Sequence, residues 1–281
     1  MTKYERVNRK FEQLFFPRIK KPIQDKINSL TAVVNTMGVH AGISYLNNKL
    51  TIEGLTLEVQ RIYEVVGVRH ANDVTKGLKK QPIIKKGFGF NDEWVRFIQA
   101  YLQNHLIENI TFNVNKTLRD YLLRVLQTSI SEGWGVDETV RELRGSGFSD
   151  MQAARIVRTE VNTAANVGVI AAGETYDYEM QKKWISVHDF RTRGISPKDH
   201  ANHISLDGTT IDFEDVFIDP RNGDRLRHPG DPSASAESII NCRCNMSLKP
   251  KRDQNGRLIP KRKTTSVIYP NQIRRGQIIT I

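Results

Sequence analysis

The feature that most constrains this chain is a change of hydrophobic period at Tyr178. Before it, apolar residues recur three and four apart over long stretches. After it come short alternating runs separated by Gly, Pro and Asp-Gly turns. The pattern predicts an α+β protein: an irregular helical N-terminal region over 1–115, a helical middle over 116–178, and a small β-rich module over 179–248. An extended basic tail over 249–281 follows.

In the N-terminal region, Phe11, Leu14, Phe15, Ile19 and Ile23 keep helical spacing, while Pro17 and Pro22 predict a kink or break. Beside lysines and arginines, this stripe reads as a helix that docks a partner. A second helix fits Leu55–Val66, with Leu57, Ile62, Val65 and Val66 on one face. Residues 76–92 read as a connector. Trp94, Phe97, Ile98, Tyr101, Leu102 and Leu106 mark a further helix over Asp92–Asn109.

From Asn115, Leu118, Leu122, Val125, Leu126 and Ile130 form one face that stops at Gly133 and Gly135. "VDETVRELRGSG" is a short helix, with Asp137 as a cap. Ser149 and Gln152 have capping-box spacing and open a helix rich in small residues: Ala153, Ala154, Ala164, Ala165, Ala171 and Ala172. Such residues let backbones approach closely. A helix-turn-helix that reads a DNA groove is disfavoured here, because Arg155 and Arg158 are the only basic residues of that helix.

In the module, "MQKKWISVHD" reads as the first strand. "HISLDGTTIDF" reads as two strands around Asp207–Gly208, and "SIINCRCNMSL" as the last. That last segment holds the chain's two cysteines, Cys242 and Cys244. A metal site, a redox pair and a packed corner compete for them. His200, His203, Cys242 and Cys244 make a zinc set, since thiolate and imidazole both suit that ion. Against it, C-x-C is not the usual knuckle spacing, and alternate residues of a strand also suit inward packing, the favoured reading. A thioredoxin-like pair lacks its spacing and context. His203 with Asp189, Asp199 and Asp207 has the residue types of a metal-dependent nuclease or related hydrolase, the rival reading. Acids in such turns are more often turn formers, and no Walker, G-x-S-x-G or H-E-x-x-H motif is present. The strand predicts Cys242 and Cys244 facing Trp184 or the His203 loop, with Arg243 outward or paired to Asp189 or Asp207. Arg158 or Glu160 should reach the Trp184–Arg193 strand and loop, because an unpaired buried charge is too costly.

Charge is uneven. Of the net +11, residues 1–30 hold eight Lys/Arg against three acids, and 248–281 hold nine against one. The basic terminal clusters suit a polyanion: Lys249, Lys251 and Arg252; Lys261, Arg262 and Lys263; Arg274 and Arg275. No apolar run is long enough to span a bilayer, and the start has no signal-peptide core. Two cysteines without such a signal make a reducing interior the expected compartment.

The ordered set "RIVRTEVNTAANVGVIAAGE", "KKWISVHDFRTR", "HISLDG" and "HPGDPSASAESIINCRC" resembles the phage Mu protein F family, minor head or head morphogenesis proteins of tailed phages. The resemblance covers about 116–248. It places motif residues at Arg158, Thr159, Glu160, His203, Asp207, Gly208, Pro229, Gly230, Asn241, Cys242, Arg243 and Cys244. It implies a non-enzymatic virion component at the portal vertex inside the head, made in the host cytoplasm. Its partners would be portal protein, phage DNA and other head proteins, with no membrane; no cofactor is expected beyond the zinc of the His/Cys set, which the resemblance does not settle. Some relatives carry fused toxin enzymes; the arm after Leu248 is too short for one.

Overall fold

A computed structural model describes residues 2–48, 51–78, 90–105, 107–145 and 147–261. The architecture is α+β. Among the described residues, eight helices precede the sheet: α1 (Lys3–Met37), α2 (Val39–Asn48), α3 (Leu55–Ile62), α4 (Val68–Leu78), α5 (Phe90–His105), α6 (Ile107–Glu132), α7 (Val136–Gly145) and α8 (Phe148–Glu174), with a π-helical turn (Tyr63–Gly67) joining α3 to α4. The strands are β1 (Met180–Ile185), β2 (Thr210–Asp212), β3 (Phe217–Ile218), β4 (Arg225–Leu226) and β5 (Asn245–Pro250), with a short α9 (Ala236–Ile239) before β5.

The chain forms two compact units, each assembled from separated segments. One comprises 1–11, 60–106 and 158–281; the other comprises 12–59 and 107–157. A boundary at residue 115 would cut α6, and one at 248 would cut β5.

In the second unit, α1 runs unbroken through Pro17 and Pro22, so the expected break does not occur. Phe15, Ile19, Ile23, Ile27, Leu30 and Val34, three or four apart, are all buried. Six such side chains contribute roughly 2 kcal/mol each, against about 3 kcal/mol lost at each proline. The same burial removes Phe15 and Ile19 from the surface expected to dock a partner, leaving Leu14 exposed. Gly42 in α2 sits against Val34, Leu30 and Leu126, and Tyr121 stacks on Phe148 with centroids 4.0 Å apart. Ser149 does not close a capping box; its hydroxyl donates to Gln24 Oε1 at 2.7 Å.

In the first unit, the π-helical turn rotates the apolar face. Tyr63 turns inward beside Ile62 and Val66 of the expected stripe, while Val65 is exposed; Leu57, which belongs to the other unit, is exposed as well. The small residues of α8 do allow a close approach: a Cβ at Gly168 would overlap the Gly67 carbonyl, so only glycine fits there. The Leu106 position lies outside the described residues.

The three-stranded sheet has order β2-β1-β5, antiparallel throughout, with Met180 opposite Pro250 and Trp184 opposite Met246. β3 and β4 form a separate ribbon. Among the described residues, one expected strand is absent and another starts later than expected. His203–Gly208 folds as consecutive turns, with Leu206 N donating to His203 O and Asp207 N to Ile204 O. Cys242 and Cys244 precede β5 rather than lie within a strand, after Asn241 at φ +57°.

The basic tail begins later than expected. Lys249 pairs with Gln181 in the sheet, Arg252 bridges to Leu258, and Tyr178 bridges to Pro260. Residues 249–261 are therefore folded, and 262–281 lie outside the described residues.

Candidate functional site

The site is built where the turns after β1 meet the segment before β5. Along β1, Met180, Lys182 and Trp184 occupy the inward positions. Trp184 packs edge-on against both His203 and Phe217, with centroids 5.2 and 5.1 Å away. Leu206, Leu226, Cys242 and Cys244 complete this core. Lys182 is the unexpected member. It is wholly buried, its Nζ donates to Arg227 O at 2.9 Å, and burial pulls its pKa down to about 8.

His203 has no exposed surface, and its Nδ1 lies 3.6 Å from Cys242 Sγ and 3.8 Å from Cys244 Sγ. Cys242 and Cys244 are 1% and 4% exposed. Contact with the Cys244 thiol, opposed by burial and aided by His203, draws the Cys242 thiol well below its ordinary pKa. On the far side of the ring, Nε2 makes no hydrogen bond and faces Asp219 Oδ2 at 3.9 Å. Asp219 is fully buried and accepts from the Asn202 and Arg221 N–H groups at 2.7 and 2.8 Å. Neither Asp219 nor Ser186, whose hydroxyl donates to His203 O at 2.7 Å, stood out in the sequence. Neither sits in a motif or at a spacing that marks it.

His200 does not join this group; it is exposed. His188 Nε2 lies 2.8 Å from Asp207 Oδ2, while Asp207 Oδ1 accepts from Ser186 N–H at 2.7 Å. Burial alone would raise the Asp207 pKa; these two partners outweigh it and hold the carboxyl below its usual value. Gly208 donates its N–H to Trp184 O. His228 is buried elsewhere in the unit, its Nε2 2.9 Å from the Tyr101 hydroxyl and its Nδ1 3.0 Å from Pro229 O. Arg243 forms a two-pronged pair with Asp189, one prong 2.6 Å long, and this pair draws the Asp189 pKa down to about 2.

The motif helix α8 grips the module through neutral side chains, not through the charges expected to reach it. Asn162 and Asn166 Nδ2 both donate to Cys244 O, at 3.0 and 3.2 Å. Thr163 Oγ1 donates to Gly230 O, and Asn241 N–H donates to Thr159 Oγ1. Gly230 has φ +76°, and a Cβ there would press on Thr163 Oγ1 at 2.7 Å. Arg158 is exposed. Glu160 turns to Tyr63 instead, whose hydroxyl donates to its Oε2 at 2.9 Å, and burial lifts the Glu160 pKa to about 7.

The expected nucleic-acid residues divide three ways. Lys249 and Arg252 are exposed. Lys251 Nζ donates to Asp212 Oδ2 at 2.6 Å, and Lys261 Nζ donates to Gly173 O and Glu174 O, so both are engaged within the fold. Arg262, Lys263, Arg274 and Arg275 lie outside the described residues. No helix among the described residues is long and apolar enough to cross a membrane.

Comparison with known proteins bears on the same region. The protein named "Uncharacterized protein YqbB" of Bacillus subtilis (strain 168) is 27% identical over 145 residues, covering 50% of this chain. The chain spans 44% of that relative's length. No solved structure matches. A family model described as Phage Mu protein F like protein matches residues 120–247, from within α6 into β5. Residues 120–247 of this chain, a little under half of it, are thus similar to the Phage Mu protein F like family.

Proposed function

We propose that this chain is a minor head protein of a tailed phage, acting in head morphogenesis at the portal vertex and contacting packaged DNA inside the head. One observation carries the reading: the polar residues of the family-matched region are spent on holding the module together. Asp189 is bound by Arg243, Asp207 by Ser186 and His188, and Asp199 accepts from the Gly194 and Ser196 N–H groups. The His203 and cysteine donors are buried. A hydrolase acting on a phosphodiester needs such groups open to its substrate. A structural head component needs them closed. The metal-dependent nuclease is the weaker alternative on this ground.

DNA contact is assigned to the basic C-terminal end. A counterion-releasing hold needs cations without internal partners. Lys249 presents such a side chain in the folded part, Arg252 is exposed but donates to Gly256 O at 2.6 Å, and further charge follows residue 261. Portal contact is assigned to the exposed side of α1 around Leu14, beside its lysines and arginines.

The test is removal of residues 262–281, which leaves every described strand intact. DNA binding should weaken at low salt. The slope of log affinity against log salt should become shallower by about 0.9 for each phosphate that is no longer neutralised. Co-purification with portal protein should persist. Loss of portal association with unchanged DNA binding would reverse the two assignments. Plasmid nicking by the full chain with a divalent metal, abolished by Asp207→Asn, would favour the nuclease.

A further inference from the structure

We propose that His203, Cys242 and Cys244 bind one zinc ion, and that this ion closes the β-rich module from within. The inference stands on the cluster's own geometry and does not depend on the head-protein reading.

Three donors from two distant segments converge: one imidazole nitrogen and two sulfurs, all buried and within 4.8 Å of one another. Zinc bound tetrahedrally at about 2.3 Å from sulfur and about 2.05 Å from nitrogen sets these ligands roughly 3.6 Å apart. The Nδ1···Sγ separations are 3.6 and 3.8 Å. The imidazole nitrogen thus already stands at ligand spacing from both sulfurs.

Charge fits as well. On binding, each thiol releases its proton, and two thiolates with a neutral imidazole cancel the 2+ of the ion. An uncompensated ion would be costly at so buried a place; a neutral set is not. Coordination through Nδ1 assigns the ring proton to Nε2. That atom is buried, lacks a hydrogen bond, and faces the Asp219 carboxylate. An acid behind a ligating histidine orients the ring and raises its basicity.

The frame is positioned independently of any ion. Asn162 and Asn166 hold the Cys244 carbonyl, Ser186 holds that of His203, and Arg243, between the cysteines, is fixed by Asp189. A rigid frame reduces the ordering required on binding. Three protein donors leave the fourth position to water. Burial keeps that position from a macromolecular substrate, which makes the role structural.

The full chain, purified without chelator, should contain about one zinc per chain by elemental analysis. Replacement by cobalt(II) should give thiolate-to-metal charge-transfer absorption and the intense visible bands of tetrahedral coordination. Cys242→Ser, Cys244→Ser and His203→Asn should each lower metal content several-fold, while His200→Ala leaves it unchanged. The cobalt spectrum of the unaltered chain keeps the test valid if those variants fail to fold. Wild-type protein that carries no zinc and takes up no cobalt with both thiols reduced overturns the proposal. So does a Cys242–Cys244 disulfide in freshly purified protein, or loss of metal in His200→Ala.

Discussion

The two units bury different chemistry. In the unit of 12–59 and 107–157, the buried polar residues are Thr31, Ser129, Thr139, Ser149 and Gln152, and none of these described residues is ionisable. In the other unit, His70, Glu160, Lys182, His203, Asp219, His228 and Asp231 are all buried. The first is held by apolar stripes and a few neutral hydrogen bonds, such as Ser129 to Thr139 at 2.6 Å. The second buries ionisable groups that depend on partners, each costly if left alone, and the His203 Nε2 has none. Its stability should therefore respond to pH, and that of the first should respond to side-chain volume.

The largest expected effect tests the apolar unit. Ile23 is fully buried in the α1 stripe. Ile23→Ala should cost about 3–4 kcal/mol, with the same difference from wild type at pH 5 and pH 8. Hydrogen exchange read by mass spectrometry over α1 and α6 measures it. A loss that changes between the two pH values would break the comparison.

Glu160→Gln tests the other unit. The folded pKa of Glu160 is raised to about 7 from an ordinary 4.5, so the folded state favours the protonated acid. Its contribution is fully present below pH 4.5 and is lost as pH rises through 7. Glutamine stays neutral and can still accept from Tyr63. At pH 8 the variant should be more stable than wild type by on the order of 3 kcal/mol, and at pH 4.5 by little. His70 runs the opposite way: burial lowers its pKa to about 4, so its contribution is present above 6.5 and lost as pH falls through 4. Comparing variant with wild type at each pH cancels that term. Parallel stability curves would mean that Glu160 does not carry the dependence.

The smallest effect concerns the grip of α8 on the module. Asn166→Ala should cost about 1 kcal/mol, because Asn162 still donates to Cys244 O. The double change with Asn162→Ala should exceed the sum of the singles, since the buried carbonyl then loses both donors. Strict additivity in a double-mutant cycle would show that the carbonyl finds another partner.

Much of this architecture is legible in the residues alone. The α+β class, the short helix α7 and strand β1 follow from periodicity and turn chemistry, because burial of one face imposes a repeat on the residues; the cysteines are inward as expected, but from the segment before β5 and not from a strand. The errors fall where long-range contacts override local preference. Pro17 and Pro22 mark a break by themselves, yet six buried neighbours keep α1 intact. Val65 fits a regular helical face with Ile62 and Val66, and the π-helical turn leaves it exposed while Tyr63 goes in. Lys249 and Lys251 look like tail cations, and sheet pairing and Asp212 claim them.

By itself the sequence determined that the chain is helical before Tyr178, where the β-rich module begins, that charge gathers at the two ends, and that thiols and histidines crowd one region. Only the tertiary structure decided which of those groups meet. His200 and His203 are three residues apart, yet only His203 joins cysteines some forty residues away, with Asp219 behind its ring. Spacing along a chain limits which donors can share a face of one element. Convergence of donors from separate turns depends on how loops close over a core, and that is set by Trp184, Phe217 and the carbonyls of His203 and Cys244, not by any local pattern.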